Sequence, residues 1–233
     1  MSELLSYPVP WREVGGLWRH IKDGTQTSVD EFTASVARRI QPDPIVEGRL
    51  PDDPRFILAA NHYQRKGLWI LHTATVLTRV IRGHYGAGDP PVRWMVTANW
   101  PPVRVGPWSM PSPGDWLLPR VAHTLHCYPV AFAGSNPAFT ARTIRKLLTD
   151  ARSFDRPLGI FPEGVAGAAG VVGPALPGAG RLLARLKLPV VPVGVSEHGR
   201  FVLKFGAPID PSELATASDP GELVMEHIRQ MLL

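Results

Sequence analysis

The chain switches repeatedly between runs of consecutive apolar residues and stretches where apolar residues recur every three or four positions, and these switches mark out its elements. Val29, Phe32, Val36 and Ile40 recur at helical spacing behind Ser28, with Glu31 three residues on, so a helix is predicted over 28–40 with a capping-box start. A shorter helix is predicted over 11–22. The prolines of QPDPIVEGRLPDDP then forbid continued helix. Residues 55–61, RFILAAN, hold an unbroken apolar run over 56–60 and predict a buried strand, followed by a mostly apolar helix over 68–82 and a strand over 92–98. Downstream the same reading gives strands over 126–132, 157–161, 189–195 and 200–205, and helices over 137–152, 178–187 and 220–232. Strands separated by helices imply crossover connections. The expected fold class is therefore α/β, a single domain with a largely parallel mixed sheet flanked by helices. Residues 1–42 are expected as an N-terminal helical segment packed on the core of 43–233.

Two regions depart from this alternation. Residues 99–120 hold three of the seven tryptophans and six prolines, which predicts a long surface loop without regular structure. Tryptophan and methionine beside arginine there suit contact with acyl chains or an interface, or a local cover over the core. Near the start, Trp11, Leu17 and Trp18 stand among Arg12, Arg19 and Lys22, a mix fitted either to a lipid interface or to packing on the domain.

Composition narrows the classes of function. With 44% hydrophobic and 19% charged residues, the chain has ample material for a core. One cysteine, Cys127, excludes an internal disulfide, and no cysteine cluster has zinc-like spacing, so a reducing compartment without structural metal is expected. The first thirty residues contain no secretory apolar run, and no apolar run reaches 18 residues. A cytoplasmic location is expected, with peripheral contact to the inner membrane face as an option. The net charge of +5 favours anionic partners. Lysine and arginine are scattered, and no nucleic-acid-binding module is present, so nucleic acid is not an expected partner.

The chemistry concentrates at the end of the 55–61 strand, where Asn61-His62-Tyr63-Gln64-Arg65-Lys66-Gly67 forms a polar turn before a helix. Strand ends are where α/β sheets place their sites. About 100 residues later come Phe161-Pro162-Glu163-Gly164, then Val190-Val191-Pro192-Val193. Between them, 164–180 is rich in glycine and alanine, which suggests a pliant loop over the site.

Together these segments resemble the glycerophospholipid acyltransferases of the 1-acylglycerol-3-phosphate type. Their signature is Asn-His, four residues, Asp, then Phe-Pro-Glu-Gly, then a Val-Pro-Val strand. The resemblance covers roughly residues 55–210 and implies an acyltransferase-like fold. It also implies an acyl-CoA or acyl carrier protein thioester as co-substrate, with no further cofactor and no metal, and a lipid-type hydroxyl or amine acceptor. It places His62 as the general base, and Asn61, Arg65, Lys66, Glu163 and Gly164 as acceptor-binding residues. For Glu163 two roles stay open, a hydrogen bond to the acceptor or a brace for the turn beside His62.

The chain departs from the family at three points. Gly67 stands where the family has its aspartate, Ala131-Phe132 where it has an arginine, and Val165-Ala166-Gly167 where it has Thr-Arg-Ser or Thr-Lys-Ser. The missing basic residues make glycerol 3-phosphate a doubtful acceptor. The missing acid leaves Asp53, Asp115 and Glu163 as substitutes to consider. Two readings follow: a working acyltransferase, or a catalytically impaired relative that binds lipid or an acyl carrier.

Overall fold

The computed structural model describes residues 7, 10–99, 103–105, 108–110, 112, 114–131, 136–164 and 171–233, with 103–105 and 108–110 described by their backbone alone. The chain opens with α1 (Trp11–Asp23), α2 (Val29–Ala37) and β1 (Ile45–Glu47). It continues with β2 (Ile57–Ala60), α3 (Ile70–Tyr85), β3 (Arg93–Thr97), β4 (Val103–Val105), β5 (Trp108–Met110) and α4 (Gly114–Thr124). Next come β6 (Tyr128–Val130), α5 (Pro137–Asp150), β7 (Leu158–Ile160), α6 (Ala179–Leu186), β8 (Val190–Glu197) and β9 (Phe201–Phe205). Two helices, α7 (Pro211–Thr216) and α8 (Pro220–Gln230), close it.

Seven strands form one sheet in the order β1-β9-β8-β2-β7-β3-β6. Only the β8–β9 pair is antiparallel, so the sheet is mostly parallel and mixed, as the alternation of strands and helices predicts. β2 lies between β7 and β8, with Ile57 opposite both Leu158 and Val190. Its successive side chains point to opposite faces. Leu58 and Ala60 join Val76, Leu77 and Ile81 of α3, while Ile57 and Ala59 join Leu147 of α5, Leu183 of α6 and Ile228 of α8. All four β2 residues are fully buried, which accounts for an apolar run without alternation.

Local chemistry sets the helix starts. The Ser28 hydroxyl accepts the Glu31 N–H at 3.2 Å, and the Asp219 carboxylate accepts those of Gly221 and Glu222. α1 packs on α4 and α2 on α3, and Val29 N–H donates to the Asp89 carboxylate at 2.8 Å.

The expectation of an irregular loop over 99–120 is corrected. β4 and β5 form an antiparallel hairpin, and α4 follows with Pro119 inside it. Strands of three residues show no period, and a proline in a helix masks the pattern around it. β1 escaped notice for the same reason: its three residues lie among prolines and gain their identity only by pairing with β9.

Candidate active site

The site forms where β2 and β7 end beside the longer β8. At the tip of β2, the buried Asn61 side chain spans to β8, its carbonyl accepting Val195 N–H at 2.7 Å and its amide donating to Val195 C=O at 3.0 Å. It continues the strand ladder with a side chain, so the Asn61 amide ties two strands together.

Glu163 follows β7 and is 4% exposed. One carboxylate oxygen accepts His62 N–H at 2.7 Å and the other accepts Gly173 N–H at 2.8 Å. Of the two roles left open by sequence, this geometry is that of the brace. Gly164 completes the turn at φ 66°, its N–H donating to Phe161 C=O at 3.0 Å. A Cβ there would come within 2.9 Å of Leu176, so position 164 serves the turn.

The His62 ring meets the edge of Phe161 with centroids 5.3 Å apart, and Phe161 stacks on Trp94 at 5.1 Å. Trp94 lies flat over Gly159, where a Cβ would fall 2.4 Å from the indole, and donates its ring N–H to Thr78. His62 Nδ1 is sealed from solvent and has no hydrogen-bond partner among the described residues. Burial holds the imidazole below its ordinary value of 6.5, so it is neutral at neutral pH. A neutral imidazole can accept a proton, and which nitrogen accepts depends on the tautomer. A proton on Nδ1 would be a buried donor without an acceptor, so the unpaired environment favours the tautomer with the proton on Nε2.

The missing aspartate has a structural counterpart. Arg65 and Leu68 exchange backbone hydrogen bonds of 3.0 and 2.9 Å around Lys66 and Gly67, and Gly67 takes φ 79°. That is the third position of a type II turn, where glycine is preferred. Gly67 C=O also accepts Tyr7 N–H at 3.0 Å. Arg65 turns its guanidinium to Glu197 at the end of β8, donating to both carboxylate oxygens at 2.6 and 2.5 Å. Side-chain exposures of 8% and 0% make this a buried pair. The Tyr7 hydroxyl approaches the same carboxylate at 3.4 Å, and burial with that charge pushes its pKa up to about 12. Arg65 thus holds the turn to the sheet. Lys66 is exposed, and it is the remaining basic residue of the turn.

The structure brings Asn61, His62 and Glu163 together. Asp53 accepts Arg55 N–H before the start of β2, so the strand, about 13 Å long, lies between it and His62. Asp115 is exposed in the first turn of α4. A cavity of about 290 Å³ lies by Asp53, Arg55 and Pro189, and one of about 680 Å³ between α1 and α2; neither is lined by His62. Among the described residues no three His, Cys, Asp or Glu side chains are grouped to hold a metal, and no helix is long and apolar enough to cross a membrane. Sequence reasoning missed Glu197, Gly173 and Tyr7. The signal for Glu197 was an acid closing the apolar run VVPVGVSE, a place where a buried charge needs a partner.

No protein-family model matches the chain. No curated protein matches it either. Among solved structures it is similar to the 1-acyl-sn-glycerophosphate (LPA) acyltransferase PlsC from Thermotoga maritima, at a TM-score of 0.56 and 18% identity, over 95% of this chain and 84% of that one. At this identity the likeness establishes architecture, and the chain has the α/β fold of that acyltransferase.

Proposed function

We propose that the chain is an acyltransferase that moves a fatty acyl group from the thioester of acyl-CoA or acyl carrier protein to a hydroxyl or amine of a lipid-type acceptor. The observation that carries this reading is His62, fixed by its backbone at the C-terminal end of the central strand in a fold shared with an LPA acyltransferase. In the proposed step Nε2 of His62, in the less favoured tautomer that carries its proton on Nδ1, takes the proton of the acceptor hydroxyl as its oxygen attacks the thioester carbonyl, because Nδ1 itself is sealed from solvent. The tetrahedral intermediate expels the thiolate, which takes up that proton, so one ester forms as one thioester breaks. An acceptor without phosphate suits the chain, since Ala131 and 165–167 supply none of the basic residues of the glycerol phosphate enzymes.

A second reading, a lipid- or acyl-carrier-binding relative with impaired catalysis, is favoured by the unpartnered His62 Nδ1. By analogy with serine proteases, loss of the orienting acid lowers turnover by about 10⁴-fold.

The test incubates the purified protein with labelled palmitoyl-CoA or palmitoyl acyl carrier protein and a panel of hydroxyl and amine lipids. Transfer by the native chain and a loss of about 10²- to 10⁴-fold in His62→Ala support the first reading. Equal transfer by both proteins removes His62 from the mechanism. Transfer that appears only in Gly67→Asp supports the second reading.

A further inference from the structure

One short segment reaches both ends of His62. Directly after β7, Glu163 accepts the His62 N–H at 2.7 Å. Phe161, two residues earlier, meets the His62 ring edge-on, with centroids 5.3 Å apart and planes at 63°. Among the described residues no hydrogen bond reaches His62 Nδ1, so on that side packing, and not a hydrogen bond, locates the ring.

Phe161 is itself held. In the register of β3 and β7, Trp94 stands opposite Gly159, and Phe161 follows two residues on, toward the same face of the sheet. Because Gly159 has no side chain, the indole lies across it, where a Cβ would fall 2.4 Å from the ring. There it stacks on Phe161 with centroids 5.1 Å apart and planes 11° apart. The indole is pinned at its other side: its N–H donates to the buried Thr78 hydroxyl of α3 at 3.0 Å, and that hydroxyl donates to Ala74 C=O at 2.8 Å. α3, β3 and β7 thus converge on the His62 ring through two aromatic side chains.

Orientation matters to a histidine base. A half-turn of the imidazole about its Cβ–Cγ bond exchanges each nitrogen with a carbon, so a ring that turns freely presents nitrogen to an acceptor for part of the time. In a catalytic triad a carboxylate stops this rotation and also selects the tautomer. We infer that Phe161, held by Trp94, is a positioning residue for His62. It fixes the plane of the imidazole by contact, keeps Nδ1 on the sealed side and Nε2 available to an acceptor, and leaves the tautomer unselected. Its effect on turnover rests on the transfer reading, whereas the orientation of the ring is measured without it.

The experiment reads ring motion and turnover side by side. Carbon-13 relaxation of the His62 ring C–H groups is compared in the native chain, Phe161→Leu and Phe161→Tyr, together with contacts between the two rings in nuclear Overhauser spectra. A rigid ring in contact with Phe161 is expected in the native chain, and a mobile one in Phe161→Leu. With palmitoyl-CoA as donor, Phe161→Leu is expected to lower kcat about 10- to 100-fold while the donor KM changes little. Phe161→Tyr keeps the aromatic ring and is expected to recover most of that loss. Melting temperature shows whether each variant folds, and Trp94→Phe, which keeps a ring and loses the Thr78 bond, is the milder second variant. It is expected to loosen the imidazole less than Phe161→Leu does. A His62 ring as mobile in the native chain as in Phe161→Leu overturns the inference, as does ring motion unchanged in both Phe161→Leu and Trp94→Phe. A fall in kcat with the ring still rigid also overturns it and gives Phe161 another role. Absence of turnover in the native chain counts against the transfer reading, and ring motion then decides the positioning role by itself.

Discussion

The backbone of His62 and its ring are held in opposite ways. The backbone side is fixed several times over: Asn61 bridges to Val195 through two hydrogen bonds, Glu163 accepts His62 N–H, and Arg65 grips Glu197 through two more. On the ring side, Nδ1 is sealed and has no partner among the described residues, and an edge-on contact comes from Phe161. The frame that presents an imidazole at the strand ends is therefore complete, while no described residue selects its tautomer. Substitutions in the frame should act on stability, whereas changes at Gly67 should act on the ring.

The largest effect is expected from Arg65→Met. It strands the Glu197 carboxylate in a site where its side chain has no exposure, with the Tyr7 hydroxyl 3.4 Å away and the Tyr63 hydroxyl as the donors that remain. Removing one partner of a buried pair costs about 3–5 kcal/mol. The measurement is the urea midpoint at constant slope. A loss under 1 kcal/mol would mean that water reaches Glu197 and that the turn is not held to β8 by this pair.

Glu163→Gln comes next. The carboxylate accepts two backbone N–H groups, one on each oxygen, and a carboxamide can accept only one of them with its oxygen. The other N–H then faces an NH₂ group, an expected loss of about 1–3 kcal/mol. Amide hydrogen exchange distinguishes the outcomes, because either the His62 or the Gly173 amide should lose protection. If both stay protected, the brace is not what holds these segments.

How far these two sides were legible in the sequence follows from the range of the interactions. The sheet could be read because β2, β7 and β8 are apolar on both faces, a local property of their residues. The Ser28 cap could be read because it spans three residues. Asn61, Glu163 and Arg65 were found as residues of interest, but their partners lie 134, 101 and 132 positions away. A side chain that braces and one that binds substrate look alike until the chain is folded. Gly67 was read as the loss of an aspartate; its positive φ shows that the turn also makes use of glycine.

Gly67→Asp probes the ring side. An L-residue at φ 79° is expected to cost about 1–2 kcal/mol. If the new carboxylate reaches Nδ1, it favours the charged imidazole and raises the His62 pKa. Histidine NMR titration of the variant against the native chain checks this. An unchanged pKa places the carboxylate out of reach, so that the turn itself must change for a dyad to form.

The smallest effect is the pH dependence contributed by native His62. Burial lowers its folded-state pKa below the ordinary 6.5, so the unfolded chain binds that proton first as pH falls. Below about pH 6.5 the unfolded state therefore carries more protons at this position, and stability declines with falling pH until the folded group also titrates. Above that window the group contributes no slope. The chain holds seven other histidines, so the quantity to measure is the difference in urea stability between the native chain and His62→Gln across pH 5–8. The native chain should lose more stability toward the acid end, because glutamine cannot take the proton. A difference independent of pH would show the imidazole titrating alike in both states, and the ring would then be as open to water as it is in the unfolded chain. Repeated with Gly67→Asp as the background, a carboxylate that reaches Nδ1 should reduce or reverse that slope, which ties the ring's charge to residue 67 independently of turnover.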